Sequence, residues 1–203
     1  MTTVHLLHAG YTGDRVASSV VLVRDVGALI VVDPGMVARR ALILDPLASL
    51  GVAAEEVTHV FLSHHHPDHT LNVALFPNAE VVDFWARYRD DLWLDHDGDG
   101  HRLAANSELW LTPGHTEEDA TLIVRADDGV YAMTHLWWHE DRTPEIDPIA
   151  SNLDGIERGR ARVLAAADVV IPGHGPAFRV RDRLVARAPS QDVEPDVVDQ
   201  RPG

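Results

Sequence analysis

Short aliphatic and β-branched runs, separated by glycines, dominate the first third of the chain. This pattern is typical of strands joined by tight turns. A helix is expected between Ala38 and Leu50, either in two pieces or with a late start, because Pro46 interrupts it. The predicted strands are 4–7, 19–24 and 28–32, the last of which ends at the turn signal Asp33-Pro34-Gly35.

The rest of the chain predicts a second group of strands and one long helix. A short helix is expected at 70–75, and the long one at 153–167. Further strands are predicted at 57–62, 79–83, 101–104, 108–111, 121–125, 130–133 and 169–171. Together these elements favour an α/β fold, a sandwich of two sheets flanked by helices. We expect one domain over residues 1–188, and a disordered tail over 189–203, which is rich in Pro and Asp.

The composition of the chain narrows the range of possible functions. The 203 residues carry 17 Lys and Arg against 32 Asp and Glu, a net charge of −15, which argues against a nucleic-acid partner. The absence of cysteine means that any metal site must use histidine and carboxylate ligands. We see neither a signal peptide nor an apolar run long enough for a membrane span, so we expect a soluble, cytoplasmic protein.

The chain contains 13 histidines, and four of them fall in the segment Ser63-His64-His65-His66-Pro67-Asp68-His69. Side chains two positions apart in an extended segment point the same way, so His64 and His66 are expected to share one metal ion. Asp68 and His69, beyond the proline turn, are expected to face a second position. The spacing therefore predicts a metal site directly after a buried strand.

Three later histidines, His115, His135 and His174, follow predicted strands. Loops at strand ends are where sites are usually assembled on a rigid sheet. With the first cluster, they supply enough ligands for two metal ions. Zinc is the expected metal, as one or two ions, with iron or manganese as alternatives.

The chain resembles the metallo-β-lactamase superfamily in four segments that occur in the family's order: Asp33-Pro34-Gly35, SHHHPDH, TPGHT and PGHG. The resemblance implies an αββα sandwich with the metals at one edge, between the two sheets. It also implies hydrolysis by a metal-bound hydroxide, with Asp68 orienting the nucleophile. Carried over by position, the first metal site would be His64, His66 and His115, and the second would be Asp68, His69 and His174.

The chain departs from the family pattern at His135, which stands where the family has a bridging aspartate. A neutral imidazole offers one lone pair, so it serves one metal only. Three outcomes are open: His135 ligates one metal, it turns away and leaves a one-metal site, or Glu140 or Asp141 replaces the bridge. We favour the first outcome, with a more positive site and weaker occupancy of the second metal.

The fold hosts many reactions, so the substrate must be argued separately. We expect a hydrolase acting on a small-molecule ester or thioester. The alternatives are an iron-dependent oxygenase on the same fold, and a degenerate metal-binding protein without activity. Trp137 and Trp138 suit a pocket wall as well as a dimer contact, so the oligomeric state stays open. Asp33 is either a turn former or a partner that orients a metal ligand.

Overall fold

The structure, a computed structural model, describes residues 1–140 and 147–182. The first half of the chain builds one mixed sheet of seven strands, which lie in space in the order of the sequence. Strands β3, β4 and β5 are parallel to one another, and the other neighbouring pairs are antiparallel. The strands are β1 (Thr3–His8), β2 (Val20–Asp25), β3 (Ala28–Val32), β4 (His59–Phe61), β5 (Glu80–Val82), β6 (Arg87–Arg89) and β7 (Leu92–Leu94).

In the described part of the second half, the chain builds a mixed sheet of six strands, in the spatial order β13-β12-β11-β10-β9-β8. Among these six strands, only β11 and β12 pair in parallel, and the helix α3 precedes β12 in the chain. The strands are β8 (Arg102–Ala104), β9 (Ser107–Leu111), β10 (Ala120–Ala126), β11 (Gly129–Thr134), β12 (Val169–Pro172) and β13 (Phe178–Arg179). The helices are α1 (Ala41–Ser49), α2 (Pro67–Thr70) and α3 (Leu153–Ala166), with 3₁₀ turns at Ala54–Glu56 and Val73–Leu75.

Three apolar layers hold the sheets and helices together. The central layer joins the facing sides of the two sheets, for example Phe61 and Val82 of the first with Leu122 and Met133 of the second. A second layer packs α1 on the outer face of the first sheet, and a third packs α3 on the outer face of the second. The predicted αββα sandwich of two mixed sheets flanked by helices is therefore confirmed.

The predicted helix at 70–75 is wrong. The helix α2 begins three residues earlier, at Pro67, and a 3₁₀ turn follows it. A proline fits the first helical position because its missing N–H has no intrahelical partner there. Asp68 and His69, two of the predicted metal ligands, therefore lie in the first turn of this helix.

Three strands, β6, β7 and β13, have no counterpart in the prediction, because they are two or three residues long and lack a clear alternation of apolar residues. The helix α1 starts late, at Ala41, which is one of the two outcomes predicted. Pro46 lies inside it. The predicted tail at 189–203 lies outside the described residues. No helix in the described ranges combines the length and the apolar character that crossing a bilayer requires.

Candidate metal centre

The predicted ligands and Asp33 converge at one edge of the sandwich because each follows a strand that ends there. Asp33 comes after β3, and His64 comes shortly after β4. From the second sheet, His115 follows β9, while His135 and His174 follow the parallel strands β11 and β12. Strands that end at the same edge bring distant parts of the chain together, and the connecting loops carry the polar groups.

Gly35 allows the helix α2 to come close to the end of β3. A Cβ atom at position 35 would lie 1.6 Å from the carbonyl oxygen of Asp68. In place of a side chain, that carbonyl accepts a hydrogen bond from the backbone N–H of Met36 at 2.9 Å. The Asp33-Pro34-Gly35 turn thus fixes the position of the segment that carries Asp68 and His69.

The first group of candidate ligands contains His64, His66 and His115. His66 Nδ1 lies 3.1 Å from His64 Nε2 and 3.1 Å from His115 Nε2. Three neutral imidazoles in this arrangement are a donor set that zinc accepts, and they leave a further coordination position free.

The second group contains Asp68, His69 and His174. Asp68 Oδ2 lies 3.5 Å from His69 Nε2 and 3.6 Å from His174 Nε2. This group combines two imidazoles with one carboxylate, so it differs from the first group in charge as well as in position.

His135 lies between the two groups. Its ring centre is 4.2 Å from that of His115 and 4.5 Å from that of His64, and its Nε2 is 3.2 Å from His174 Nε2. One ligand atom from each of His64, His69 and His135 lie within 4.8 Å of one another, which defines a third group. Gly173 makes room for the ring, since a Cβ there would lie 2.3 Å from His135 Cδ2.

Asp33 controls the orientation of two candidate ligands. Its Oδ2 accepts hydrogen bonds from His69 Nδ1 at 2.9 Å and from the Ser63 hydroxyl at 2.7 Å. The same hydroxyl oxygen lies 3.1 Å from His64 Nδ1. Asp33 also has a positive φ of 47°, so both readings of this residue hold: it forms the turn and it orients ligands.

Two further candidate ligands, His115 and His174, are oriented by other hydrogen-bond partners. His115 Nδ1 donates to Asp147 Oδ2 at 2.7 Å, and His174 Nδ1 donates to the backbone carbonyl of Ala17 at 2.9 Å. Asp147 Oδ2 also accepts from Trp138 Nε1 at 3.0 Å. Each of these bonds leaves Nε2 of the histidine, in its neutral form, as the ring nitrogen with a free lone pair.

Burial favours the neutral form of four of these imidazoles, those of His64, His115, His135 and His174. It lowers the pKa of His64 and of His135 well below the ordinary value, and the neighbouring histidines lower both further. Burial also lowers the pKa of His174, to about 4, and that of His115, although Asp147 opposes the shift at His115. Neutral imidazole is the form of histidine that binds metal ions.

The residues present fit a divalent cation. Within the three ligand groups, His69 Nε2 and His135 Nδ1 are buried and have no hydrogen-bond partner; elsewhere in the described residues, His8 Nε2 and Arg87 Nε are in the same state. An unpaired buried polar atom is costly, so its presence in a native fold calls for a partner that the protein atoms do not supply. A metal ion supplies that partner for a ring of imidazoles with one carboxylate.

A cavity of about 130 Å³ opens onto the ligands. Besides candidate ligands, its walls include Thr12, Trp138 and Ile149. Trp138 takes the expected role of a pocket wall, whereas its neighbour Trp137 is 1% exposed and packs in the layer under α3. The cavity therefore has a polar floor of ligands and a partly apolar wall.

All seven predicted ligands lie in the three groups, namely His64, His66, Asp68, His69, His115, His135 and His174. Of the two carboxylates considered as a replacement bridge, Glu140 is exposed and belongs to none of the groups, while Asp141 lies outside the described residues. Three hydrogen-bond partners of the candidate ligands were not predicted, namely Ser63, Asp147 and the carbonyl of Ala17. Ser63 directly precedes the histidine motif, and this position is a sequence signal that could have identified it. No sequence signal marks Asp147 or the Ala17 carbonyl as a partner of a ligand.

The chain belongs to the metallo-β-lactamase superfamily, whose family model matches residues 13–183. This membership, together with the ligand groups at the sheet edge, supports a metal-dependent hydrolase in general. The fold implies binding of a divalent metal.

Among curated proteins, the chain is similar to metallo-beta-lactamase domain-containing protein 1. It is 34% identical to the Xenopus laevis protein over 191 residues, which cover 88% of this chain and 82% of that one. It is 37% identical to the human protein over 163 residues, which cover 74% of this chain and 59% of the relative. The match thus extends over most of the frog protein but well under two thirds of the human one.

Solved structures confirm the fold at low sequence identity. A metallo-beta-lactamase described as putative, from Thermotoga maritima, superposes with a TM-score of 0.67 at 16% identity, covering 88% of this chain and 99% of that one. A quorum-quenching N-acyl homoserine lactone lactonase superposes with a TM-score of 0.63 at 15% identity, covering 85% and 91%. At such identities these similarities show the architecture alone.

Proposed function

We propose that this protein is a cytoplasmic, metal-dependent hydrolase that acts on a small-molecule ester or thioester. The observation that carries the proposal is the buried Nε2 of His69, which has no hydrogen-bond partner and lies 3.5 Å from Oδ2 of Asp68, a residue that lines the cavity. Zinc, as one or two ions, suits the donor set, and iron or manganese are the alternatives.

The metal, when bound, would lower the pKa of a coordinated water and polarise the scissile bond. The chain supplies the rest. The Asp68 side chain is 18% exposed and lines the cavity, where its carboxylate would accept a hydrogen bond from the attacking water and orient it. Asp33, through His69, and Asp147, through His115, keep the ligand rings in place.

The substrate class follows from the cavity and the charge. A volume of about 130 Å³ admits a small acyl or ester group, and Trp138 and Ile149 offer it apolar contact. The net charge of −15 disfavours a polyanion such as nucleic acid. The lactonase among the structural neighbours acts on an N-acyl homoserine lactone, itself a cyclic ester, so lactones belong in the test.

Elemental analysis of the purified protein, followed by assays on esters, thioesters and lactones, tests the proposal. We expect divalent metal in the protein and turnover of at least one substrate, both lost in His69→Ala. His101→Ala is the matched control, since His101 lies outside the three ligand groups. Turnover that survives in the metal-free protein would contradict the proposal.

One observation favours a second candidate, an iron-dependent oxygenase. The group of Asp68, His69 and His174 has two imidazoles and one carboxylate, the donor set of many iron(II) oxygenases. Iron as the bound metal, with oxygen consumption on addition of substrate, would establish this candidate. Bound metal without turnover of any substrate would point to a degenerate binding protein.

A further inference from the structure

The wall of the ligand cavity contains a hydroxyl group that the proposed function does not use. Several residues lining this cavity belong to the ligand groups, namely His66, Asp68, His115, His135 and His174. Of the others, Ile149 is apolar, and Trp138 donates its Nε1–H to Asp147 at 3.0 Å. Among the described residues that line the cavity, Thr12 is therefore the remaining polar group available to a substrate.

The Thr12 hydroxyl is held by His139, because its Oγ1 lies 2.8 Å from His139 Nε2. A hydroxyl has one hydrogen to donate and two lone pairs that accept. If His139 Nε2 donates, the Thr12 hydrogen is left for a substrate; if His139 Nε2 accepts, the lone pairs of Thr12 Oγ1 are left. In either tautomer of His139, Thr12 keeps the capacity for a further hydrogen bond.

The backbone beside His174 places His139 at the cavity. The N–H of His174 donates to the carbonyl of Trp138 at 2.8 Å, so the chain after β11 runs beside the chain after β12. His139 then packs on Gly175, which has a positive φ of 118°. A Cβ atom at Gly175 would lie 2.8 Å from His139 Nδ1, so the glycine makes room for the ring.

Thr12 reaches His139 from the loop between β1 and β2. Tyr11 and Ala17 close this loop by exchanging two backbone hydrogen bonds, each of 3.0 Å. Just after the loop, the Ser19 hydroxyl donates to the carbonyl of Gly175 at 3.0 Å. The contact between Thr12 and His139 therefore joins two segments that are both attached to the chain at Gly175.

Thr12 and the ligands differ in their exposure to solvent. Thr12 is half-buried and precedes the exposed residues 13–15, whereas His115 and His174 are each 3% exposed. A scissile carbonyl must approach the buried ligands, so Thr12 meets a neighbouring part of the substrate. We propose that Thr12 and His139 form a subsite for a polar group of the acyl chain. Thr12 contacts the substrate, and His139 is a positioning residue that holds the Thr12 hydroxyl.

The subsite rests on the proposed function and narrows its substrate class. The cavity of about 130 Å³ favours a small acyl chain that carries a hydroxyl, carbonyl or amide group a few bonds from the scissile carbonyl. A plain alkyl chain would cover the Thr12 hydroxyl without replacing its hydrogen bond to water, and this costs free energy. The contact is the same in the substrate and in the transition state, so its loss raises KM and leaves kcat nearly unchanged.

Two esters of equal size test the subsite: phenyl 3-hydroxypropanoate and phenyl butanoate, which differ by a hydroxyl in place of a methyl group. The measured quantity is the ratio of their kcat/KM values with the metal-loaded, full-length protein. We expect Thr12→Val to lower this ratio by about 10-fold, through the KM of the hydroxy ester. A general loss of folding or of metal would lower both kcat/KM values equally and leave the ratio unchanged.

Further variants separate contact from positioning. Thr12→Ser keeps the hydroxyl and should retain the wild-type ratio. His139→Phe should lower the ratio, and adding it to Thr12→Val should lower the ratio no further, because His139 acts through Thr12. Thr3→Val is the matched control: the Thr3 hydroxyl lies 2.9 Å from His5 Nε2, at the end of β1 away from the ligands. Thr3→Val should leave the ratio unchanged.

Binding of the two product acids, 3-hydroxypropanoate and butanoate, to the metal-loaded protein needs no turnover. Calorimetry should show a change of about 10-fold in the ratio of their affinities between the wild type and Thr12→Val. If neither ratio changes, or if Thr3→Val changes it equally, the subsite is overturned and the proposed function stands. If the affinity ratio changes but no ester is turned over, the proposed function is overturned and the subsite stands.

Discussion

The two ends of the sandwich each contain a buried aspartate at the end of a strand of the first sheet, and the two aspartates behave differently. Asp25, at the end of β2, accepts hydrogen bonds from the side chains of Thr2, Asn106 and Ser107, and from the backbone N–H groups of Val26 and Asn106. Asp33, at the opposite end, accepts from Ser63 and His69.

The difference lies in where each network ends. Every bond at Asp25 comes from a donor within the chain, and the network ties the first sheet to the β8–β9 turn. At Asp33 the network continues through the His69 ring and ends on its Nε2, which has no hydrogen-bond partner. A saturated network stabilises the fold, whereas an open one is prepared for a ligand from outside.

The largest expected effect is stabilisation by zinc at the Asp33 end. Zinc at 100 times its dissociation constant should raise the free energy of unfolding by about 2.7 kcal/mol. Urea denaturation with and without the metal measures it. The gain should persist in Asp25→Asn and vanish in His69→Ala; a gain that survives His69→Ala would place the ion elsewhere.

Asp33→Asn should weaken zinc binding by about 10–100-fold, because the amide no longer fixes the tautomers of His69 and His64. Chelator competition measures the affinity. Asp25→Asn is the matched control at the other end of the sandwich, and its affinity for zinc should equal that of the wild type. Equal losses in the two variants would remove the distinction between the ends.

Asp25→Asn should instead destabilise the metal-free protein by about 2 kcal/mol, since the new amide group cannot accept one of the hydrogen bonds that Asp25 receives. Denaturation by urea in the presence of a chelator gives the value. Asp25→Glu keeps the charge but displaces the oxygens, so its free energy of unfolding should lie between those of the wild type and Asp25→Asn. No loss in Asp25→Asn would mean that the network is not structural.

The smallest expected effect is the loss of folding stability at acid pH. Burial raises the pKa of Asp25, but hydrogen bonds from Asn106, Ser107 and Val26 outweigh it and leave the pKa below the ordinary 3.8. Stability from this group is therefore complete above pH 3.8 and is lost as the pH falls through the lowered pKa. The metal-free Asp25→Asn variant should lose less stability than the wild type over that range, as denaturation at each pH would show.

Sequence patterns predicted most of the architecture because strand and helix signals are local. The predicted strand at 28–32 and the helix from Leu153 agree with the structure, and the ligand motifs were found because they lie in short, spaced segments. The strand β7 was missed, since Leu92 and Trp93 are exposed and their apolar character does not mark a buried face. The start of α2 was missed because Pro67 reads as a turn and as a helix start alike.

The order of residues along the chain determined which groups are available: seven ligands placed after strands, an imidazole where a carboxylate is usual in the family, and no thiol. Only the tertiary structure decided how those groups are paired. The bonds of Asp147 to His115 and of Ala17 to His174 join residues 32 and 157 positions apart, and no local pattern encodes such contacts. They set which nitrogen of each ring is free, and that is a property of the packed sheets rather than of any single segment.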